Sequence, residues 1–274
     1  MRETVRPKKS LGQHFLRDDE VHEEILRWAR LRLESRVLEI GAGDGTLTHS
    51  LGELAGRVIA VEKDRRCLPI LRRDFPAGGK VEIVEADILD YDLSSLEDLA
   101  PLAVVGDLPY NIATAVLDRL LDRGTLFSHM ILMFQKEVAL RLTAGPGSGS
   151  YGSLSLATQY RSEVELVRIV GPEAFVPPPR VDSALVHVVP RRNPLLPPEE
   201  EKIFYRLIRA GFRHRRKTLL NSLSRADGAV TQEGAAAALT ALSLPENIRA
   251  EKIGLDHFLE IARRLRGSSG GNHD

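Results

Sequence analysis

Three groups in this chain have residue types and spacing suited to chemistry: Gly41-Ala42-Gly43-Asp44-Gly45, the carboxylates Glu62 and Asp87, and Asp107-Leu108-Pro109-Tyr110. The glycines permit a sharp turn and a close backbone approach to a ligand. Glu62 lies about twenty residues further on, where an acidic side chain accepts hydrogen bonds from ribose hydroxyls. The spacing is G-x-G-x-G, with Thr46 where a dinucleotide fingerprint would want its third glycine. That favours S-adenosylmethionine over a pyrophosphate-bearing cofactor. Asp87, in Glu85-Ala86-Asp87-Ile88, is placed to hydrogen-bond an adenine amino group.

The Asp107 group reads as the catalytic one. Proline fixes its own φ and restrains Leu108 before it, so the four residues make a rigid platform able to grip a planar base. An exocyclic adenine amine is a poor nucleophile because its lone pair is delocalised into the ring. If the Asp107 carboxyl and a backbone carbonyl, best assigned to Leu108, accept its two protons, the nitrogen pyramidalises and its lone pair can meet an electrophilic methyl group. Tyr110 would stack on the base. Alignment and charge placement then supply most of the catalysis.

These groups need strand ends to hold them. Apolar runs recur at 36–40, 58–61, 81–84, 102–105 and 130–134, separated by stretches of helical length such as 64–75 and 113–121. That alternation predicts a parallel sheet flanked by helices, with each candidate residue just past a strand's carboxyl end. Runs at 164–170 and 181–189, joined without a helix-length insert, predict an antiparallel hairpin closing the sheet edge. Arg191-Arg192-Asn193-Pro194-Leu195-Leu196-Pro197-Pro198, which combines charge with three prolines, marks a boundary near 192, and everything beyond it reads helical. The expected organisation is a catalytic domain over 1–192 and a helical domain over 193–274, with a fraying tail at 267–274.

Composition bounds the rest. Apolar residues make up 43% and charged residues 28% of 274, which is globular and excludes disordered, collagen-like and disulfide-stapled classes. Lys plus Arg and Asp plus Glu are 38 each, so an electropositive surface must come from local segregation. A single cysteine, Cys67, and histidines outside metal-ligand spacings predict a reducing compartment and no metal. The basic start lacks the apolar core of a secretory signal, and no window approaches a membrane span. The reading is a cytoplasmic protein.

With these motifs in view, the chain resembles the ribosomal RNA adenine N6-dimethyltransferase family, most closely its bacterial small-subunit branch. The segments that carry the likeness are Lys8 to Leu16 (KKSLGQHFL), Tyr151 to Ser155, Glu173 to Ala184 (EAFVPPPRVDSA), Phe212 to Leu223 (FRHRRKTLLNSL) and Arg249 to Ile253. The resemblance implies a Rossmann-like seven-stranded class I methyltransferase sheet with a small all-α C-terminal domain. It implies donor-binding roles for His14, Leu16, Gly41, Glu62, Asp87 and Asp107, joining Gly43 of the glycine-rich turn, with S-adenosyl-L-methionine as the donor. Phe175 would face the target adenine opposite Tyr110. The family usually has Asn where this chain has Asp107. A carboxylate accepts hydrogen bonds as Asn does but adds charge beside a sulfonium, so donor affinity or its pH response should differ.

Between 202 and 217 stand Lys202, Arg206, Arg209, Arg213, Arg215, Arg216 and Lys217, with no Asp or Glu. Phosphate contacts are the natural reading. Arg213, Arg215, Arg216 and Lys217, joined by Lys8 and Lys9, are the expected RNA-binding residues. The activity implied is N6,N6-dimethylation of two adjacent adenosines near the 3′ end of small-subunit ribosomal RNA. The implied partner is the assembling small subunit, and the protein is read as a monomer. A large-subunit adenine methyltransferase of the macrolide-resistance type, and a non-catalytic assembly factor on the same fold, stand as alternatives.

Overall fold

The computed structural model describes residues 5, 7, 13–214, 216–224 and 231–268. They fall into two compact units, one within Met1–Ala139 and Ser162–Arg192, the other within Leu140–Arg161 and Asn193–Asp274. Residues 140–161, which the sequence reading assigns to the first domain, therefore group with the second.

The first unit is built on seven strands: β2 (Arg36–Ile40), β3 (Arg57–Glu62), β4 (Val81–Glu85), β5 (Leu102–Asp107), β6 (Phe127–Gln135), β7 (Ser162–Val170) and β9 (Ser183–Pro190). Their order is β4-β3-β2-β5-β6-β9-β7. The first five are parallel, and β9 pairs antiparallel with both β6 and β7. The terminal hairpin thus closes the edge, with its second strand inside and its first outermost. β2 and β3 are apolar almost throughout and buried on both faces, as strands of a covered parallel sheet are. Val58 with Ala60 on β3, and Ile131 with Met133 on β6, stand two apart and face one core. Val21, Ile25 and Ala29 meet that core from α1 (Asp19–Ala29), four residues apart on one helix face. The Asp18 side chain caps α1 by accepting the Val21 N–H at 3.0 Å. α2 (Thr46–Leu54) adds Leu51 to that core, and α3 (Leu68–Asp74) adds Leu71 beside buried Cys67. α4 (Ala113–Asp122) follows β5.

The sheet order decides where a ligand can go. From β2 the chain runs outward through β3 to β4, then returns to place β5 on the other side of β2. At such a reversal the connections leave in opposite directions and open a crevice past the strands' carboxyl ends. Here Gly41 follows β2 and Asp107 ends β5, side by side.

A two-stranded pair lies apart from the sheet: β1 (Phe15–Leu16) runs antiparallel to β8 (Phe175–Val176), with Phe15 opposite Val176 and Leu16 opposite Phe175. α5 (Lys136–Thr143) follows β6 and spans the point where the units divide. The second unit is helical: α6 (Ser153–Arg161), α7 (Pro198–Arg213), α8 (Leu219–Leu223), α9 (Gln232–Ala241) and α10 (Leu255–Ser268). Its core joins Leu156 and Tyr160 to Phe204, Leu207, Leu223, Leu239 and Phe258. α10 reaches Ser268, two residues into the segment expected to fray. Among the described residues no helix is long and apolar enough to cross a membrane.

Candidate functional site

A cleft of about 270 Å³ opens at the reversal, near the lower end of the size range of small-molecule sites. Gly41 and Gly43 form its floor with φ of +82° and +58°, left-handed values that L side chains rarely adopt. A Cβ on Gly43 would also lie 3.0 Å from a ring carbon of Phe15. Glu62 ties this loop to the end of β3. Its Oε2 accepts the Gly43 N–H at 2.8 Å and its Oε1 accepts the Asp64 N–H at 2.6 Å. Burial raises the Glu62 carboxyl against the pull of those N–H donors. The Lys63 N–H adds a third backbone donor, and an ionised carboxyl still keeps acceptor capacity for a ligand hydroxyl.

Asp87 stands beyond β4, and its carboxylate pairs with the Lys63 ammonium. It also accepts the Leu89 N–H at 3.0 Å. The Lys63 hydrogen bond holds the Asp87 carboxyl below its ordinary range, so Asp87 enters the cleft as an anion.

Asp107 is different. Its side chain lines the cleft with no hydrogen-bond partner among the described residues, and burial pushes its carboxyl up to about 7. Leu108 is buried behind it. The Ile112 N–H donates to the Pro109 carbonyl at 3.0 Å, closing the turn that leads into α4. The Tyr110 hydroxyl and Ser183 Oγ on β9 are 2.6 Å apart, which anchors the far edge of the tyrosine ring.

The chain before α1 supplies the remaining wall. The Gln13 amide donates to Asp64 Oδ2 at 2.7 Å, and Arg66 donates to Gln13 Oε1 at 3.1 Å. Hydrogen bonding from Arg66 holds the Asp64 carboxyl down at about 2. On the other flank Arg17 pairs with Asp44 and donates to Thr46 Oγ1 at 3.3 Å. Between these anchors His14 Nδ1–H donates to the Pro177 carbonyl at 2.7 Å. The His14 ring lies nearly parallel to Tyr110, with an interplanar angle of 17° and centroids 5.9 Å apart.

Ten residues singled out in the sequence therefore line one cleft: His14, Leu16, Gly41, Gly43, Glu62, Asp87, Asp107, Leu108, Pro109 and Tyr110. Phe175 does not. It is 2% exposed and packed in the apolar core, because pairing of β8 with β1 turns its ring inward. The ring that faces Tyr110 is that of His14. Sequence reasoning gave no role to Phe15, Asp44, Lys63 and Asp64. Phe15 and Asp44 stood inside motifs it had singled out, and Lys63 and Asp64 directly after Glu62 at a strand end. Arg213, Arg216 and Lys217 are exposed on the second unit, while Lys8, Lys9 and Arg215 lie outside the described residues. Among the described residues no group of three or more His, Cys, Asp or Glu side chains could hold a metal ion.

Comparison with known proteins adds to this geometry. Residues 5–266 match the family described as ribosomal RNA adenine dimethylase. A ribosomal RNA small subunit methyltransferase A of Geobacter sulfurreducens is 41% identical over 97% of this chain and 98% of its own. Among solved structures, the 23S rRNA methyltransferase ErmE is 29% identical with a TM-score of 0.75, covering 92% of this chain and 99% of its own. A dimethyladenosine transferase from Plasmodium falciparum is 25% identical with a TM-score of 0.79, covering 93% and 98%.

Proposed function

Because the chain belongs to the ribosomal RNA adenine dimethylase family, we propose that it converts two adjacent adenosines near the 3′ end of small-subunit ribosomal RNA to N6,N6-dimethyladenosine. S-adenosyl-L-methionine, the donor in this reading, supplies a methyl group made electrophilic by its sulfonium. The cleft's own residues fit that donor. Glu62, whose carboxyl keeps acceptor capacity beside its backbone donors, suits ribose hydroxyls, and Asp87 suits an adenine amino group. The positive-φ backbone at Gly41 and Gly43 leaves room beside them.

The observation that carries the proposal is Asp107: a polar side chain lining the cleft without a hydrogen-bond partner among the described residues, three residues before Tyr110, whose ring lies parallel to that of His14. An acceptor shielded within a cleft and left unpaired gives up part of its hydration, and a ligand donor would complete it. In this reading Asp107 and the Leu108 carbonyl accept the two N–H groups of the target adenine, and Tyr110 with His14 offers flat surfaces to the base. Methylation moves one proton off the nitrogen, and a carboxyl with a pKa near 7 is matched to receive it near neutral pH. The second transfer starts from an amine with one N–H, for which one acceptor suffices. A base inside a duplex cannot reach such a cleft, so the adenosine enters unstacked.

The small-subunit assignment rests on relatives such as the Geobacter protein, more similar over the whole chain than ErmE. We read the protein as a cytoplasmic monomer acting on the assembling subunit. The test is incorporation of labelled methyl groups into undermethylated small subunits and into large-subunit RNA, followed by mapping of the modified nucleotides. Two adjacent dimethyladenosines in small-subunit RNA alone are expected. Labelling of large-subunit RNA would move the assignment to the macrolide-resistance type, and no labelling of either would leave an assembly factor.

A further inference from the structure

His22 on α1 lines the cleft together with Ile25, one turn further along the same helix. Its Nε2 and Ser50 Oγ on α2 are 3.0 Å apart. Thr46 and Leu47, one turn before Ser50, line the cleft as well. The His22–Ser50 contact therefore closes the end of the cleft where α1 meets the first turns of α2. Ser50 is the hydrogen-bond partner of one ring nitrogen, and among the described residues the other has none. An imidazole has two such positions, so one is left for a ligand.

The other charged groups of the cleft are engaged or acidic. Lys63 pairs with Asp87, Arg17 with Asp44 and Arg66 with Asp64. The His14 ring lies along Tyr110 with its Nδ1 on the Pro177 carbonyl. Acids at the strand ends suit the hydroxyls, amines and sulfonium of S-adenosylmethionine. They do not suit its one anionic group, the carboxylate of the amino-acid end. At the His22 end, by contrast, the first turn of α2 offers N–H groups with no intrahelical carbonyl and the positive end of the helix dipole.

We propose that His22 receives the carboxylate of the donor's amino-acid end and thereby selects ligands that carry it. The proposal rests on the functional reading above for the identity of the donor. Burial lowers the pKa of the free imidazole, against the pull of Asp19 and Glu23 on its own helix. On neighbouring elements His49 turns to Asp74, Arg168 to Glu20 and Glu24, and His129 to the Ala29 carbonyl, while Asp107 faces the cleft from β5. A carboxylate arriving beside the ring favours the imidazolium, so binding raises the His22 midpoint and takes up a proton.

The probe is S-adenosylhomocysteine, which keeps the carboxylate and lacks the sulfonium. The ring resonances of His22, assigned through the bonds to its backbone, are titrated with pH in wild type with and without this thioether. Their midpoint should rise by about one pH unit or more on binding. Calorimetric affinity should fall about tenfold as pH rises through the interval between the two midpoints. Wild type should also prefer the thioether to its analogue without the carboxylate by about 10- to 100-fold. His22→Ile should lose most of that preference while keeping its affinity for the analogue. An unmoved or lowered midpoint in wild type, or the full preference in His22→Ile, would overturn the assignment. Failure of wild type to bind the thioether at all would overturn the functional reading, and the carboxylate site with it.

Discussion

Replacing Asp107 by Asn removes a titrating carboxyl while keeping a carbonyl acceptor in its place, which isolates the effect of charge in the cleft. Burial takes this carboxyl from 3.8 up to about 7, a penalty on the anion of roughly 4 kcal/mol at 1.36 kcal/mol per pH unit. The pKa is raised in the folded state, so between about pH 4 and 7 the unfolded chain ionises at this site while the folded one stays protonated. Stability from this group is therefore lost as pH rises through that window. A cationic donor reverses the preference, because a sulfonium near Asp107 favours the carboxylate. If the donor is held well only by the ionised form, its apparent affinity follows the ionised fraction. That fraction grows about 30-fold from about pH 5.5 to about 8.5, with its midpoint near 7. Calorimetric titration of S-adenosylmethionine across this range should show that rise in wild type and a much flatter profile in Asp107→Asn. Every other titrating group, Glu62 included, is common to the two proteins. S-adenosylhomocysteine, whose sulfur is neutral, should lack the rise. Equal pH profiles for wild type and variant, or the same rise with the neutral product, would refute the placement of the sulfonium beside Asp107.

Three further outcomes follow from the geometry. Gly43→Ala forces a side chain onto a φ of +58° and to within 3.0 Å of the Phe15 ring. It should cost about 1–2 kcal/mol of stability and weaken donor binding at least about tenfold, read by thermal melting and calorimetry. Tyr110→Phe loses only the bond to Ser183 Oγ at 2.6 Å, while Tyr110→Ala loses the flat surface too. Methyl-transfer kcat/KM should fall a few-fold in the first and about five- to a hundredfold further in the second, stacking being worth ~1–3 kcal/mol per base. Glu39 is 1% exposed, and burial pushes its carboxyl up to about 8. The folded chain keeps that proton while the unfolded one loses it above about pH 4.5, so stability drains away as pH rises to 8. Melting temperatures of Glu39→Gln and wild type should diverge steadily over that interval; parallel curves would show the side chain to be solvated.

Much of the cleft was legible in the sequence because its parts obey local rules. Each of Gly41, Glu62, Asp87 and Asp107 stands at or just past an apolar run, and alternation of strand and helix is enough to bring such ends to one edge. The β2–β5 reversal that opens the crevice comes from connection order, which the same alternation constrains. Phe175 was misplaced for the opposite reason. Its role facing the adenine was implied by the family resemblance of the segment before Pro177-Pro178-Pro179. Its direction, however, depends on a two-residue pairing with a segment about 160 positions earlier, and strands that short have no periodicity to betray their register. The same pairing, with the Gln13–Asp64 and Arg17–Asp44 anchors, sets His14 opposite Tyr110. The grouping of residues 140–161 with the second unit was hidden likewise, since chain order does not say which core an amphipathic helix will join.

Charge tells a subtler story. The run from Lys202 to Lys217 was visible as composition, yet composition alone does not distinguish a solvated face from a binding one. What distinguishes them is pairing. Arg266 on α10 meets Glu200, whereas Lys202, Arg206, Arg209 and Arg213 on the outer face of α7 meet no acidic residue among those described. Asp107 poses the same question for an acid, for its neighbours Glu62 and Asp87 are both engaged while it has no partner among the described residues. A carboxyl left without a partner is a cost that folding does not repay, and together with the exposed cations of α7 it points to two kinds of partner. The carboxyl suits an amine and a sulfonium, and the cations suit a phosphate backbone. A substrate RNA with a cationic methyl donor would satisfy both.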